Sequence, residues 1–306
     1  MSAGVEIQVC DAARSDAELK SLLDACSRDA EGISSPGLDG ISKWRSLNDP
    51  LLLAIEDGVP VGICAVELPD GGGSASLRFL GIRGKARGQG VGTLLEAHVS
   101  KLVKRHGFGD IRTGFSLDSR NEAGARFLDR QGWTRNTDAG LRMWRNLEDL
   151  PRVEVANGYT FRSYEPGDAS AFVEIKNTAF SGEHGGGRDW TLSDFHKEYL
   201  DSPHFRPERV LFAASEGKLV GTTTAWTSEF EGREVGLIHW VAVVPEHRSK
   251  GLGQALNVQA LHKLKEMGYE ACVLSTNESL ASAVRLYHRL GFQVVTKRST
   301  YTKVLG

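Results

Sequence analysis

Apolar positions recur along this chain in two periods. Leu252, Ala255, Leu256, Ala260 and Leu264 fall at helical spacing, and Val91, Leu94, Leu95, Val99 and Leu102 repeat that spacing earlier. Other apolar runs are short and rich in β-branched and aromatic residues, which predicts strands: VLFAAS from Val210, LVGTTTAW from Leu219 and EVGLIHWVAVV from Glu234. The first two flank EGK, a hairpin-like turn. Upstream, YTFRSY from Tyr159 reads as a strand. GDASAFVEIKNTAF from Gly167 and TLSDFHKEYL from Thr191 read as helices, the second capped by Thr191 or Ser193. Downstream follow a strand (ACVLST), a helix (LASAVRLYHRL) and a strand (FQVVTK).

The pattern is written twice. LLLAIEDGVPVGICAVEL from Leu51 matches VLFAASEGKLVGTTTAW, RGQGVG at Arg87–Gly92 matches RSKGLG at Arg248–Gly253, and NEAGARFLDRQGW from Asn121 matches NESLASAVRLYHRLGF from Asn277. Gly62 and Gly221, Arg87 and Arg248, and Gly132 and Gly291 keep one spacing to within two residues. A period of roughly 160 residues is a whole domain, too long for a solenoid repeat. The polar stretch NLEDLPRVEVANG, Asn146 to Gly158, suits a linker, so the expected domains are 1–149 and 150–306. Each is expected to be α/β (α+β mixed), a central mixed sheet flanked by helices.

Composition narrows the setting. The 306 residues carry a net charge of -2, with 40% hydrophobic and 25% charged residues. That balance favours neither nucleic acid nor an anionic membrane. Cys10, Cys26, Cys64 and Cys272 are scattered, with no CxxC pair. No basic segment leads into an apolar stretch at the N-terminus and no long apolar run follows, so a cytoplasmic protein without a membrane span is expected. His184, His196 and His204 lack metal-ligand spacing, so no metal is expected.

The two glycine turns each sit between a strand and a helix. A helix start offers free N–H groups and the positive end of a dipole, which favour a phosphate. Glycine lets a ligand approach the backbone, and Arg248 and Lys250 add positive charge. The residues support two readings: a pyrophosphate cradle, at Arg87–Gly92 as at Arg248–Gly253, or an ordinary strand-to-helix turn. Neither turn has the spacing of a P-loop or of a dinucleotide fingerprint.

VAVVPEHRSKGLGQAL from Val241, with its R-x-x-G-x-G after a strand, resembles the acyl-CoA-binding motif of the GNAT acyltransferase superfamily. AVRLYHRLGF from Ala283 resembles the C-terminal motif of that superfamily, close to A-x-x-L-Y-x-x-x-G-F. The resemblance covers both halves, a layout shared with double-GNAT enzymes of the mycothiol-synthase type. It implies transfer of an acyl group, usually acetyl, from CoA to an amine. Acetyl-CoA is then the implied co-substrate and a small-molecule amine the implied acceptor. The pyrophosphate would lie on Arg248, Ser249, Lys250, Gly251, Leu252, Gly253 and Gln254, and in the first copy on Arg87, Gly88, Gln89, Gly90, Val91 and Gly92. The pantetheine arm would run beside Val241, Ala242 and Val243.

That reaction has two proton problems. A primary amine of pKa about 10.4 is almost wholly charged at neutral pH, so a base or water relay helps. The CoA sulfur must also be protonated as it leaves. By the resemblance Tyr287 is the acid; by helical pattern alone it is a packing aromatic. Family members that use a glutamate carry it eleven residues before the motif, where this chain has Leu237. His239 faces the same side of the strand and is the candidate base, with a structural histidine as the alternative and a water chain ending at Glu234 or at the substrate loop as the competitor. The first copy has Leu128, Ser76 and Arg78 where the second has Tyr287, Leu237 and His239. The expectation is therefore catalysis in the second copy, with the first binding acyl-CoA or serving as scaffold. The loop FSGEHGGGRDW, with Glu183, His184 and Asp189, is a candidate acceptor site or a plain surface loop. A non-catalytic acyl-CoA-binding module is the rival from another class. The protein is expected to be a monomer or a small homo-oligomer.

Overall fold

The structure, a computed structural model, describes residues 4–10, 14–28, 37–46, 50–69, 73–154, 157–181 and 188–306. Along the first copy run β1 (Val5–Val9), α1 (Asp16–Ser27), α2 (Leu38–Ser46), β2 (Leu51–Glu56), β3 (Val59–Glu67), β4 (Ala75–Ile82), α3 (Val91–Arg105), β5 (Asp110–Thr113), β6 (Leu117–Asp118), α4 (Glu122–Arg130), β7 (Thr134–Arg135) and β8 (Gly140–Asn146). The second copy holds β9 (Tyr159–Ser163), α5 (Ala169–Phe180), α6 (Leu192–Phe195), β10 (Val210–Ser215), β11 (Lys218–Phe230), β12 (Arg233–Val243), α7 (Leu252–Glu266), β13 (Ala271–Asn277), α8 (Ala281–Arg289), β14 (Gln293–Ser299) and β15 (Tyr301–Val304). Thr191 is the N-cap of α6, in a reciprocal capping box with Asp194. Beyond Phe195 the helix widens into a π turn, His196–Leu200.

The chain forms two units, Met1–Ala139 with Thr296–Gly306, and Gly140–Val295. In the first, the sheet order is β1-β2-β3-β4-β5-β15-β7, with β4 and β5 parallel and the other pairs antiparallel. In the second, the order is β9-β10-β11-β12-β13-β8-β14, with β12 and β13 parallel. Past the division, Arg298 and Ser299 of β14 pair with Asp118 and Leu117 of β6. The strand that ends the first copy, β8, pairs along its length with β13. The strand that ends the second copy, β15, pairs with β5. Terminal strands have thus changed places, and the division falls at 139/140, with 296–306 returned to the first unit, where the sequence suggested a cut at 149/150. The stretch read as a linker is built into the second unit. Leu147 is buried there, and Lys265 donates to the Glu148 carbonyl at 2.6 Å.

Strand residues alternate between faces, so each sheet needs a cover on both sides. In the first unit Val91, Leu95, Val99 and Val103 of α3 are buried with Val66, Leu77 and Ile111. Leu19, Leu22 and Leu23 of α1 cover the other face with Leu53, Ile63 and Phe79. In the second unit α7 and α8 bury Val258, Leu261 and Tyr287 with Ile238 and Leu274. On its opposite face α5 and the α6 turn bury Phe172, Ile175, Phe195 and Tyr199 with Phe212 and Trp226. Among the described residues no helix is long and apolar enough to cross a membrane.

Candidate active site

In the second unit β12 and β13 pair only at Gly236–Leu237 with Cys272–Val273. Beyond that point both strands continue without pairing to each other, which leaves a gap lined by backbone donors and acceptors. A β-bulge widens it. Thr224 faces His239 and Thr222 faces Ala242, so Trp240 and Val241 together oppose Thr223. Trp240 takes a left-handed φ of 50°, rare for an aromatic residue. The extra residue resets the alternation. Leu237 and Trp240 pack toward α5, whereas Ile238 and Val241 pack toward α7 and α8. Of the residues expected along this edge, Val241 and Val243 lie on the α7 face and Ala242 on the α5 face.

Tyr287 belongs to the α7–α8 face. Its ring is T-shaped against Phe292 at 6.0 Å, and burial pushes its hydroxyl up to about 12. That hydroxyl has no partner among the described residues and is not sealed from solvent. His239 belongs to the α5 face, with its ring 5.1 Å from Trp240 and its Nδ1 3.4 Å from the Tyr199 hydroxyl. Burial, reinforced by the Arg142 guanidinium, lowers its pKa to about 4, so the imidazole is neutral at physiological pH. The two candidate groups therefore lie on opposite faces of one sheet. A group lying in the gap between β12 and β13 has one of them on either side.

At the end of β12 the chain turns into α7. Ser249 (φ 60°) and Gly251 (φ 80°) are left-handed, and Gly251 caps α7 with no side chain bonded to the first-turn amides among the described residues. In the first unit Gly88 (φ 77°) and Gly90 (φ 86°) repeat this before α3. A Cβ on Gly251 or Gly90 would meet nothing within 4 Å, so conformation, not space, demands glycine there. Gly92 differs: a Cβ there would stand 3.2 Å from the Phe127 ring, so its bareness serves packing. Such an uncapped, concave row of amides is an anion site in form. The motif arginines point away from it. Arg248 donates to the carbonyls of Val243 (3.2 Å) and Ala179 (2.5 Å), and Arg87 to those of Ile82 (3.0 Å) and Cys26 (2.7 Å). The exposed Lys250 makes no bond among the described residues. In the first unit Gln89 donates to the Lys85 carbonyl at 2.9 Å.

The first unit's gap is closed further. Its β4–β5 pairing extends through Leu77–Thr113, and Gly114 donates to Leu77 at 2.8 Å. A Cβ on Gly114 would sit 2.9 Å from Arg78 Cδ and 2.5 Å from Ser76 Oγ, so these side chains fill the opening. Arg78 pairs there with Glu67. Leu128, at the place of Tyr287, is buried.

Residues that sequence reasoning passed over lie near the candidate base. Arg142, on exchanged strand β8, donates to Ser275 (3.0 Å) and Ser228 (2.8 Å). Lys176 is 1% exposed, with Nζ 4.7 Å from the Trp240 ring centre and 5.1 Å from that of Trp190, and it donates to the Arg188 carbonyl at 3.2 Å. Burial lowers its pKa, and Asp189 opposes that shift. The Trp240 indole N–H is sealed without a partner among the described residues. Glu183 and His184 lie outside the described residues. Glu234 is held elsewhere, by Thr227 (2.9 Å) and Tyr269 (3.1 Å). Among the described residues no cluster of His, Cys, Asp and Glu is disposed to hold a metal ion.

Known proteins resemble this chain over most of its length. The family model described as the Acetyltransferase (GNAT) family matches residues 17–133 and again 170–292. A mycothiol acetyltransferase of Thermobispora bispora is 34% identical over 83% of this chain and 87% of its own length. One of Thermomonospora curvata is 29% identical over 90% and 89%. Among solved structures, a tandem GNAT protein from the clavulanic acid biosynthesis pathway superposes with a TM-score of 0.65, at 17% identity and 99% coverage of both chains. A GCN5-related N-acetyltransferase from Sphaerobacter thermophilus does so with 0.65, at 21% identity and 98% and 96% coverage.

Proposed function

The chain belongs to the GNAT acetyltransferase family and is an N-acetyltransferase, and from that premise we propose that its second unit moves acetyl from acetyl-CoA to the primary amine of a small molecule. The observation that carries this reading is the gap between β12 and β13, with the free hydroxyl of Tyr287 on one side and the neutral imidazole of His239 on the other. The uncapped amides after Gly251, with Lys250 beside them, fit the pyrophosphate, and the unpaired edge of β12 fits the amides of the pantetheine arm. In the transfer the amine nitrogen bonds the acetyl carbon and gives its proton to His239 Nε2. The carbon–sulfur bond breaks, and the Tyr287 hydroxyl supplies a proton to the departing sulfur. Solvent then returns a proton to Tyr287 and takes the one on His239. Tyr287 suits the acid role because burial keeps its hydroxyl protonated.

The relatives' names favour the unacetylated amine precursor of mycothiol as the acceptor. Leu237, where a glutamate would be expected, argues for a different proton path, and a small amine or amino-sugar-type acceptor is the broader class. The first copy serves as scaffold in this reading, because Arg78 and Ser76 fill its gap and Leu128 replaces the acid. The reading takes the protein as a cytoplasmic enzyme.

Calorimetric titration of acetyl-CoA into wild type, Gly90→Glu, Gly251→Glu and Lys250→Glu tests this. Lys250→Glu leaves the backbone conformation alone. One site, weakened by both second-unit changes and indifferent to Gly90→Glu, is expected. Tyr287→Phe is expected to bind acetyl-CoA normally and to lose about 100-fold in kcat. Full activity in Tyr287→Phe, or binding lost only with Gly90→Glu, would reverse the assignment.

A further inference from the structure

We infer that Glu198 is the positioning residue that makes His239 a base, standing in for the carboxylate that Leu237 removes from the strand. The inference rests on the acetyltransferase reading of the second unit. Three observations support it.

The first is the local backbone. Residues 196–200 form a π turn, a rare element that recurs at functional sites. In a regular helix adjacent residues point about 100° apart. Here Glu198 and Tyr199 both reach the same atom, His239 Nδ1, at 3.9 and 3.4 Å. Glu198 is the one carboxylate that the described residues bring within 4.0 Å of that imidazole.

The second is the direction of the hydrogen bonds. Thr224 Oγ1 donates its proton to the His239 carbonyl at 2.8 Å. It is therefore an acceptor toward the Tyr199 hydroxyl, 3.4 Å away. With its proton turned to Thr224, Tyr199 accepts from His239 Nδ1–H. This chain assigns the proton of the neutral ring to Nδ1 and leaves the Nε2 lone pair for the substrate.

The third is the charge balance. When Nε2 takes a proton, the new imidazolium faces Arg142 from β8, Glu198 and Tyr199 from the π turn, and Lys176 beyond the Trp240 ring. Two of these are cations, Tyr199 is a phenol, and Glu198 alone is an anion. A half-exposed carboxylate beside Nδ1–H is the group that stabilises the charge as it forms, as an orienting acid does in a catalytic triad. It touches neither substrate nor sulfur and acts through His239.

The test uses the full chain, with acetyl-CoA as donor and either desacetylmycothiol or glucosamine as the amine, and follows cleavage of the acetyl-CoA thioester against pH. Glu198→Gln is expected to lower kcat about 10–100-fold while the amine KM changes less than about threefold. Its acid limb in kcat moves to lower pH, because loss of the carboxylate makes the imidazolium a stronger acid. Glu198→Asp recovers part of the rate. Tyr199→Phe, which keeps the packing, also loses rate. Adding His239→Gln to Glu198→Gln costs little more than His239→Gln alone. Unchanged kcat and acid limb in Glu198→Gln overturn the inference and leave the acetyltransferase reading standing. So does a change confined to the amine KM, which would make Glu198 a binding group. A wild type that turns over neither amine overturns both.

Discussion

At the scale of residues, the second unit holds polar groups where a core would be apolar. Lys176 lies under two indoles. Its place in the first unit is filled by Leu23, since Arg248 reaches Ala179 as Arg87 reaches Cys26, and both residues stand three positions earlier on their helices. His239 pays for its burial in acid. Its pKa lies below that of a free imidazole, so as pH falls the unfolded chain binds the proton first. The contribution is intact above about pH 6.5 and is lost progressively toward pH 4. Wild type is therefore expected to lose about 1–2 kcal/mol more than His239→Gln between pH 7 and pH 5, measured by urea unfolding at each pH. Equal losses would mean that His239 is not held neutral. Tyr287 and His239 could be named as candidates from the sequence, Tyr287 by its place in the C-terminal motif and His239 by its distance from Arg248 along the strand. Lys176 could not, because VEIKNTAF reads as a helix whichever way its lysine points. The comparison with Leu23 needed the arginine contacts to set the register.

At the scale of elements, β15 does more than close a sheet. Its Lys303 reaches Glu96 of α3 at 2.7 Å, and Glu96 also accepts from Ser100 (2.8 Å) and Trp133 (3.1 Å). Glu96 is only 2% exposed, so removing that lysine leaves a buried carboxylate without its cation. Lys303→Met is expected to cost about 3–5 kcal/mol, and the double change with Glu96→Gln to recover most of it, in denaturant unfolding. A neutral single variant would show that Ser100 and Trp133 suffice. The sequence told helix from strand throughout the second copy, because period and branching are local properties. It could not tell which sheet would take β8 or β15. Alternation says which side of a strand is buried and is silent on the neighbour it pairs with. For the same reason Arg142 went unnoticed: it lies outside the second copy in sequence and joins the second unit only through the exchange.

At the scale of the whole molecule, the duplication was plain in the spacing of its landmarks, and the GNAT fold followed from two motifs. The exchanged ends were the unseen part. Removing residues 300–306 deletes the strand between β5 and β7 and takes Lys303 with it. This truncation is expected to unfold the first unit while ending more than ten residues past Tyr287, read as lost protection in amide exchange across β4, β5 and α3. Retained protection there would show that β5 tolerates an open edge. The exchange also bears on ancestry. A fused pair of copies can ordinarily shed one by a frame-preserving loss of either half. Here the half without an evident acid encodes the strand that lines β13 and delivers Arg142, so its deletion would strip the surviving half as well. Descent can erode the chemistry of the first copy, but it cannot discard the copy.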